Sequence, residues 1–324
     1  MALPKPAGVR SAALTDYVMT DTRRMRQGLG LLLVLPAITT CRSSPTAPSV
    51  GAHSIVINGS TRTYALHVPV GFQPTVGAVV VALHGAGDNG PGFERSRLSA
   101  KADQAGFAVV YPDGLVNPRL NATDWQHYGD DFSDDVGFLR QLIAVVSADI
   151  QSNPRRTYIA RFSDGGRLAH RAGVELSDLI AAIGDVGGSL FQGVAHVPAA
   201  RAPVSVVILH GDADVYCGGP IDASQDQTFD YWAGGSGDMC ARVNPPAPLC
   251  DSAGNITMVA DKSAEACRTG TVVKIYRMVG GRHAWYGTPL NVPGQIPFNP
   301  DLDATTGTFV NDVIWNFFAA HPKG

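Results

Sequence analysis

The hydrophobic pattern changes period several times along the chain. Ser54–Ile57 and Thr61–Val68 alternate and are rich in β-branched residues, with Asn58-Gly59 between them. That is the signature of a β-hairpin. Gly77–Leu83 and Gly106–Tyr111 are continuous apolar runs, as are Pro203–Leu209 and Thr271–Val279 for most of their length. Strands with both faces buried have this composition. Arg156–Phe162 and Leu179–Val186 also read as strands. Between them, Leu98–Gln104, Gly165–Leu176 and Phe309–Ala320 read as helices. In Val136–Gln151 the residues Phe138, Leu139, Leu142, Ile143, Val146 and Ile150 share one helical face. Buried strands alternating with helices predict an α/β fold, a mostly parallel central sheet covered on both faces. In such sheets ligands bind beyond the carboxyl ends of the strands. Residues 115–134 read as polar and irregular.

The amino-terminal segment has a different pattern. Arg23, Arg24 and Arg26 precede the short apolar run Leu29–Leu35, and small or polar residues follow up to Cys41. A basic, an apolar and a small-residue region in that order predict an export signal over 1–41, with Met25 an alternative start. The run is too short to span a bilayer. Ile38–Cys41 weakly matches a lipoprotein box, so a lipid anchor on Cys41 is a lesser alternative. Residues 42–52 read as a flexible linker and 53–324 as one domain, expected to be monomeric. The expected location is secreted or periplasmic. Cys217, Cys240, Cys250 and Cys267 remain. An even count in an exported chain suggests two disulfides. A four-cysteine metal site lacks any Cys-x-x-Cys spacing.

Charge narrows the partners. Five of the 25 Lys and Arg and two of the 28 Asp and Glu lie in the first 41 residues, which leaves −6 on the rest. That balance excludes nucleic acid as the main partner, because counterion release needs a basic face.

The chemistry sits where the sheet topology predicts it. Phe162 is followed by Ser163-Asp164-Gly165-Gly166 and a helix. A Ser on a sharp strand-to-helix turn has its hydroxyl held out of the sheet; a helix N-cap Ser is the plainer reading. Asp214 follows the strand ending at Leu209, and His283 lies on the Gly-rich loop after Thr271–Val279. The order Ser163, Asp214, His283 is that of the α/β-hydrolase triad. His283 would take the Ser163 proton, and Asp214 would hold the tautomer. Leu83-His84-Gly85-Ala86-Gly87 ends the first buried strand. Its turn makes Ala86 N–H, with Asp164 N–H, the candidate oxyanion donor pair. Trp285, beside His283, and Trp125 are candidate substrate contacts. His84 and His210 read as buried hydrogen-bonding braces, and Asp134 and Asp135 as caps or loop braces at a helix start.

These segments resemble the secreted poly(3-hydroxybutyrate) depolymerase and feruloyl or acetylxylan esterase group of α/β-hydrolases. The residues that carry the resemblance are Arg62-Thr63-Tyr64, Leu83-His84-Gly85, Val110-Tyr111-Pro112, Trp125, Asp134–Leu139, Arg156–Ile159, Ser163–Gly166, His210-Gly211 with Asp214, and Gly281–Trp285. The resemblance implies a serine esterase acting through an acyl-enzyme on hydroxyalkanoate or feruloyl/acetyl polysaccharide esters, with no metal or organic cofactor. It also implies a Cys240–Cys267 disulfide, with Cys217–Cys250 as an extra bridge. Two departures stand out. Arg161 replaces the group's Gly two residues before the Ser, and Asp164 follows the Ser where Asn, Gln or His is usual. Arg161 must find room where strand and helix nearly touch, and Asp164 places negative charge beside an oxyanion, which disfavours it unless Arg161 or Arg167 pairs with Asp164. One expectation is that Arg161 and Asp164 neutralise each other. If Arg161 only burdens the turn, Arg161→Gly would hold or raise activity; if Arg161 belongs to the working site, activity would fall. A disarmed binding protein and a peptidase of the same fold are the alternative readings.

Overall fold

The computed structural model describes residues 51–126, 132–190, 198–214, 222–235, 240–243, 249–250, 256–265, 267, 269–288 and 309–324. The predicted hairpin is β1 (Gly51–Ile57) and β2 (Ser60–His67), turning at Asn58 and Gly59, both at positive φ. Gly51 and Ala52, expected as the end of a linker, pair with Leu66 and Ala65 instead. The export signal, Met25 and Cys41 lie outside the described residues.

The next strand is β3 (Val79–Leu83), followed by the short α1 (Gly90–Phe93) and by α2 (Leu98–Ala105). Then come β4 (Ala108–Pro112), the small hairpin β5 (Leu115–Asn117) and β6 (Ala122–Asp124), and α3 (Asp135–Asp149). The site-bearing half contains β7 (Thr157–Phe162), α4 (Gly165–Glu175), β8 (Ala182–Val186), β9 (Ser205–Gly211) and α5 (Asp222–Asp230). It is completed by β10 (Ala241–Val243), β11 (Leu249–Cys250), β12 (Ile256–Glu265), β13 (Val273–Met278) and α6 (Phe309–Ala320).

The main sheet has the order β1-β2-β4-β3-β7-β8-β9-β13-β12-β10, with β11 beside β12. Pairings from β4 through β13 are parallel, and those at both flanks are antiparallel. Alternation along β3 shows why the central runs are continuously apolar. Val79, Val81 and Leu83 join one core with α3 and α4, while Val80 and Ala82 join the other with α2 and α6. Each successive side chain points to an opposite, equally dry face.

One expectation is corrected, and one strand has no clear sequence signal. Residues 115–124, read as irregular, form a two-stranded ribbon whose Thr123 carbonyl accepts the Gly87 N–H at 2.7 Å. It thereby braces the turn after β3. β12 carries no clear strand pattern, because Asp261, Lys262, Ser263 and Glu265 interrupt its apolar residues. Its backbone is recruited by β13 through pairs from Met258↔Met278 to Ala264↔Val273.

Asp134 caps α3, accepting the Gly137 N–H at 2.9 Å. Asp135 is wholly buried, 2.7 Å from Arg62 Nη2, and its other oxygen accepts from Gln126 N and Ser133 Oγ. The expected bracing role is therefore divided between the two carboxylates.

Candidate active site

Ser163 stands at the junction of β7 and α4 with φ +54°, a left-handed conformation uncommon for a residue with a Cβ. Close approach forces the turn. A Cβ at Gly165 would lie 2.6 Å from the His84 carbonyl oxygen, and one at Gly85 would lie 3.1 Å from Ser163 Cβ. The elbow and the turn after β3 therefore pack against each other through glycine.

His283 Nε2 lies 2.8 Å from Ser163 Oγ, and His283 Nδ1 lies 2.7 Å from Asp214 Oδ2. A carboxylate only accepts, so Nδ1 carries the proton and Nε2 is left to accept from the hydroxyl. The acid and base loops are laced together by backbone. Ala213 N–H donates to Gly281 O at 2.9 Å, and Gly280 N–H donates to Asp212 Oδ1 at 2.6 Å. Phe162 packs against the His283 ring at 4.9 Å. Gly187, at φ +62°, leaves room for that ring: a Cβ there would be 3.3 Å from Cε1. His283 and Asp214 are buried, while Ser163 is half-exposed.

Ala86 is exposed on the neighbouring turn. Among the described residues neither its N–H nor that of Asp164 donates a hydrogen bond within the protein. His84 is a buried brace: its Nε2 accepts the Gly114 N–H at 3.0 Å, and its Nδ1 lies 2.7 Å from Gly85 O. Burial pulls its pKa below the ordinary imidazole value, which favours this neutral form. His210 is likewise buried.

Both tryptophans are corrected. Trp125 is fully buried in the core and donates from Nε1 to His84 O at 2.8 Å. Trp285 is fully buried too, donating to Asn311 Oδ1 at 2.9 Å with its ring edge-on to Phe93. Each indole satisfies its N–H inside the protein, so neither has a free face for substrate. Cys240 and Cys267 are joined in a disulfide. Cys217 and the Cys250 side chain lie outside what is described.

Arg161 and Asp164 act on each other through their charges, but each takes its contact partner elsewhere. Arg161, fully buried, forms its ion pair with Asp185 on β8, its register partner. Asp164 instead has Arg167 Nε 3.5 Å away. Asp185 Oδ2 is also 2.8 Å from His170 Nε2, and Trp232 Nε1 donates to His170 Nδ1 at 3.0 Å. That donor fixes the tautomer: Nδ1 accepts, so Nε2 carries the proton and donates to Asp185. Sequence reasoning missed this network. A signal was present, since Arg161 and Asp185 are each the lone charge in an otherwise uncharged buried strand.

Burial, reinforced by the Arg161 charge, holds the His170 pKa well below the ordinary 6.5. The unfolded chain therefore takes up this proton first as pH falls. The contribution to stability is complete above about pH 6.5 and is lost as pH drops toward the folded-state value. Unfolding free energies from urea titrations should fall on going from pH 7.5 to 5, by at most about 1.4 kcal/mol per pH unit from this group. His170→Gln should flatten the slope. An unchanged slope would remove His170 as its source.

The mostly parallel sheet, with Ser163, His283 and Asp214 in line at its carboxyl edge, has the architecture of an α/β-hydrolase. The chain belongs to the esterase PHB depolymerase family, whose family model matches residues 62–225. It is similar to the putative esterase NocK of Nocardia uniformis subsp. tsuyamanensis, at 28% identity over 283 residues, covering 79% of this chain and 78% of that protein. Poly(3-hydroxyalkanoate) depolymerase C of Paucimonas lemoignei is 24% identical over 314 residues, covering 87% and 71%. Feruloyl esterase B of Piromyces equi is 28% identical over 242 residues, covering 69% of this chain but only 42% of that enzyme. Among solved structures, an acetyl xylan esterase from Aspergillus awamori matches with TM-score 0.55 at 14% identity, covering 83% of this chain and 99% of that one. At that identity the likeness is one of fold.

Proposed function

We propose that the protein is a serine carboxylic-ester hydrolase that works through an acyl-enzyme. The observation that carries this reading is the continuous line from Ser163 Oγ to His283 to Asp214, with spacings of 2.8 and 2.7 Å. Ser163 Oγ attacks the ester carbonyl carbon as its proton passes to His283 Nε2. Asp214 stabilises the imidazolium. The N–H groups of Ala86 and Asp164 face the oxyanion, each such donor worth about 2.7–4 kcal/mol in the transition state. Collapse of the intermediate breaks the bond to the alkoxy oxygen, which leaves as the alcohol with the proton from His283. Water, deprotonated by the same imidazole, then releases the acid and restores Ser163.

The substrates proposed are hydroxyalkanoate esters or feruloyl and acetyl esters of polysaccharides. The names of the relatives support this range. The test is hydrolysis of short-chain p-nitrophenyl esters by the full chain, with a fluorophosphonate added to mark the nucleophile. Turnover together with a stoichiometric adduct on the Ser163 peptide is expected. A folded protein with neither would sink the proposal, and turnover of peptide amides in preference to esters would replace esterase with peptidase.

We further propose that the chain is exported. The basic-then-apolar leader and the Cys240–Cys267 disulfide support this, since disulfides persist in oxidising compartments. Expressed with its leader in a bacterium, the protein should appear outside the cytoplasm with a shortened amino terminus by mass spectrometry. Retention inside the cell at full length would refute export.

A further inference from the structure

Arg161 is the most unexpected residue near the site, since a full guanidinium sits where the family resemblance calls for glycine. Its space is provided by two glycines: a Cβ on Gly166 or on Gly188 would collide with it. Its position is determined from several sides. Asp185 holds it as an ion pair and also accepts from His170 and from the Gly188 N–H at 3.2 Å. Trp232 in turn holds His170. A planar fork fixed by a buried carboxylate has little freedom to move. Burial pulls the guanidinium's pKa down while the Asp164 charge opposes this; the contacting Asp185 carboxylate keeps the group cationic.

From this position Arg161 Nη1 donates to the Ser163 carbonyl oxygen at 3.0 Å. The same oxygen accepts the Gly166 N–H at 3.0 Å, so both of its lone pairs are used. That carbonyl belongs to the Ser163–Asp164 peptide, whose other end is the Asp164 N–H. A charge-assisted hydrogen bond at a peptide oxygen draws electron density toward it and strengthens donation by the N–H of the same unit. The cation also opposes the Asp164 carboxylate, which otherwise weakens the site for an anion.

We propose that Arg161 is a positioning residue of the oxyanion site: by binding the Ser163 carbonyl it orients and polarises the Ser163–Asp164 peptide, so that the Asp164 N–H donates more strongly as the oxyanion forms. The inference rests on the reading of Ser163 as nucleophile and of Asp164 N–H as donor. It assigns Arg161 to the working site and removes the idea that it burdens the turn. Its effect belongs to the transition state, because a neutral ester carbonyl gains little from a stronger donor.

The test compares the full chain with Arg161→Gln/Asp185→Asn, which removes both charges without stranding either. Functional sites are counted by fluorophosphonate labelling, so that a misfolded fraction does not contribute. Expected is a fall in kcat per labelled site of about 10- to 100-fold, less than or comparable to the loss of a whole oxyanion donor. KM should stay nearly constant, and the Ki of a trifluoromethyl ketone, which forms a tetrahedral adduct on the Ser, should rise by the same factor. A purely structural role would lower the number of labelled sites and leave kcat per site and Ki unchanged. That result overturns the inference. Should the double variant not fold, Arg161→Lys decides. It keeps a cation beside Asp185 but loses the fork that reaches both partners, and a loss of about 3- to 10-fold in kcat with a matching rise in Ki is expected. Parental values in that variant overturn the inference. An unmodified protein whose label is absent, or lies away from Ser163, overturns the parent reading and this inference with it; labelling at Ser163 with unchanged variants overturns this inference alone.

Discussion

Ser163→Ala is expected to lower kcat on p-nitrophenyl esters by about 10⁴- to 10⁶-fold while leaving the fold intact. The hydroxyl has no structural duty that the methyl group cannot tolerate. The hydrogen bonds that hold the elbow are made by its backbone, with Ser163 N–H donating to Val186 O at 3.1 Å and its carbonyl accepting from Gly166 and Arg161. On the proposed mechanism no acyl-enzyme forms without Oγ, and the activity left would come from binding and the oxyanion donors. His283→Ala should cost a similar factor, and the double variant little more than either alone, because the two groups act as a unit. Initial rates with matched circular dichroism spectra test this. A Ser163→Ala protein that keeps more than about a tenth of its activity would place the chemistry elsewhere, since a nucleophile's loss costs far more.

The largest stability effect is expected at Asp135. Its side chain is buried and faces the buried Arg62, whose guanidinium lies over the Phe138 ring at 4.0 Å and whose Nη2 also donates to Asp113 O at 3.0 Å. Replacing one partner of a buried ion pair strands the other charge, which costs about 3–5 kcal/mol. Asp135→Ala also removes the carboxylate oxygen that accepts from the Gln126 N–H and the Ser133 hydroxyl. The thermal midpoint should fall by about 10 °C in a domain of this size. Arg62→Met/Asp135→Leu, which removes both charges, should recover part of that loss. Scans at one fixed heating rate provide the comparison; a drop in Asp135→Ala no larger than that of a surface substitution would show that the pair contributes little.

Much of the site was legible because its residues follow strand ends. Once Phe162, Leu209 and the β13 run are recognised as buried strands, Ser163, Asp214 and His283 fall at one edge of one sheet. Parallel topology brings distant positions together there, across 69 residues for Asp214 and His283. The tryptophans were misread for a related reason. Proximity in sequence to His283 says where the Trp285 backbone goes, while Asn311 on α6, far along the chain, decides where the indole N–H points. Nor does sequence disclose the partner of Arg161: Asp164 is three residues away, yet the facing position is Asp185 on the adjacent strand.

By itself, then, the sequence determined what depends on local periodicity and on order. These are the central strands, the helices α2, α3, α4 and α6 around them, the sheet class and the succession of Ser, Asp and His. An uninterrupted apolar run has few ways to bury both its faces, so such elements are nearly independent of context. Tertiary structure decided what depends on a partner from elsewhere in the chain. β12 is a strand because β13 offers it an edge, the 115–124 ribbon exists to brace the turn beneath Gly87, and Arg161 is held by the strand beside it. The reason is energetic. A buried charge or an unpaired backbone edge is costly until its partner arrives, and the identity of that partner is set by the packing of the whole sheet.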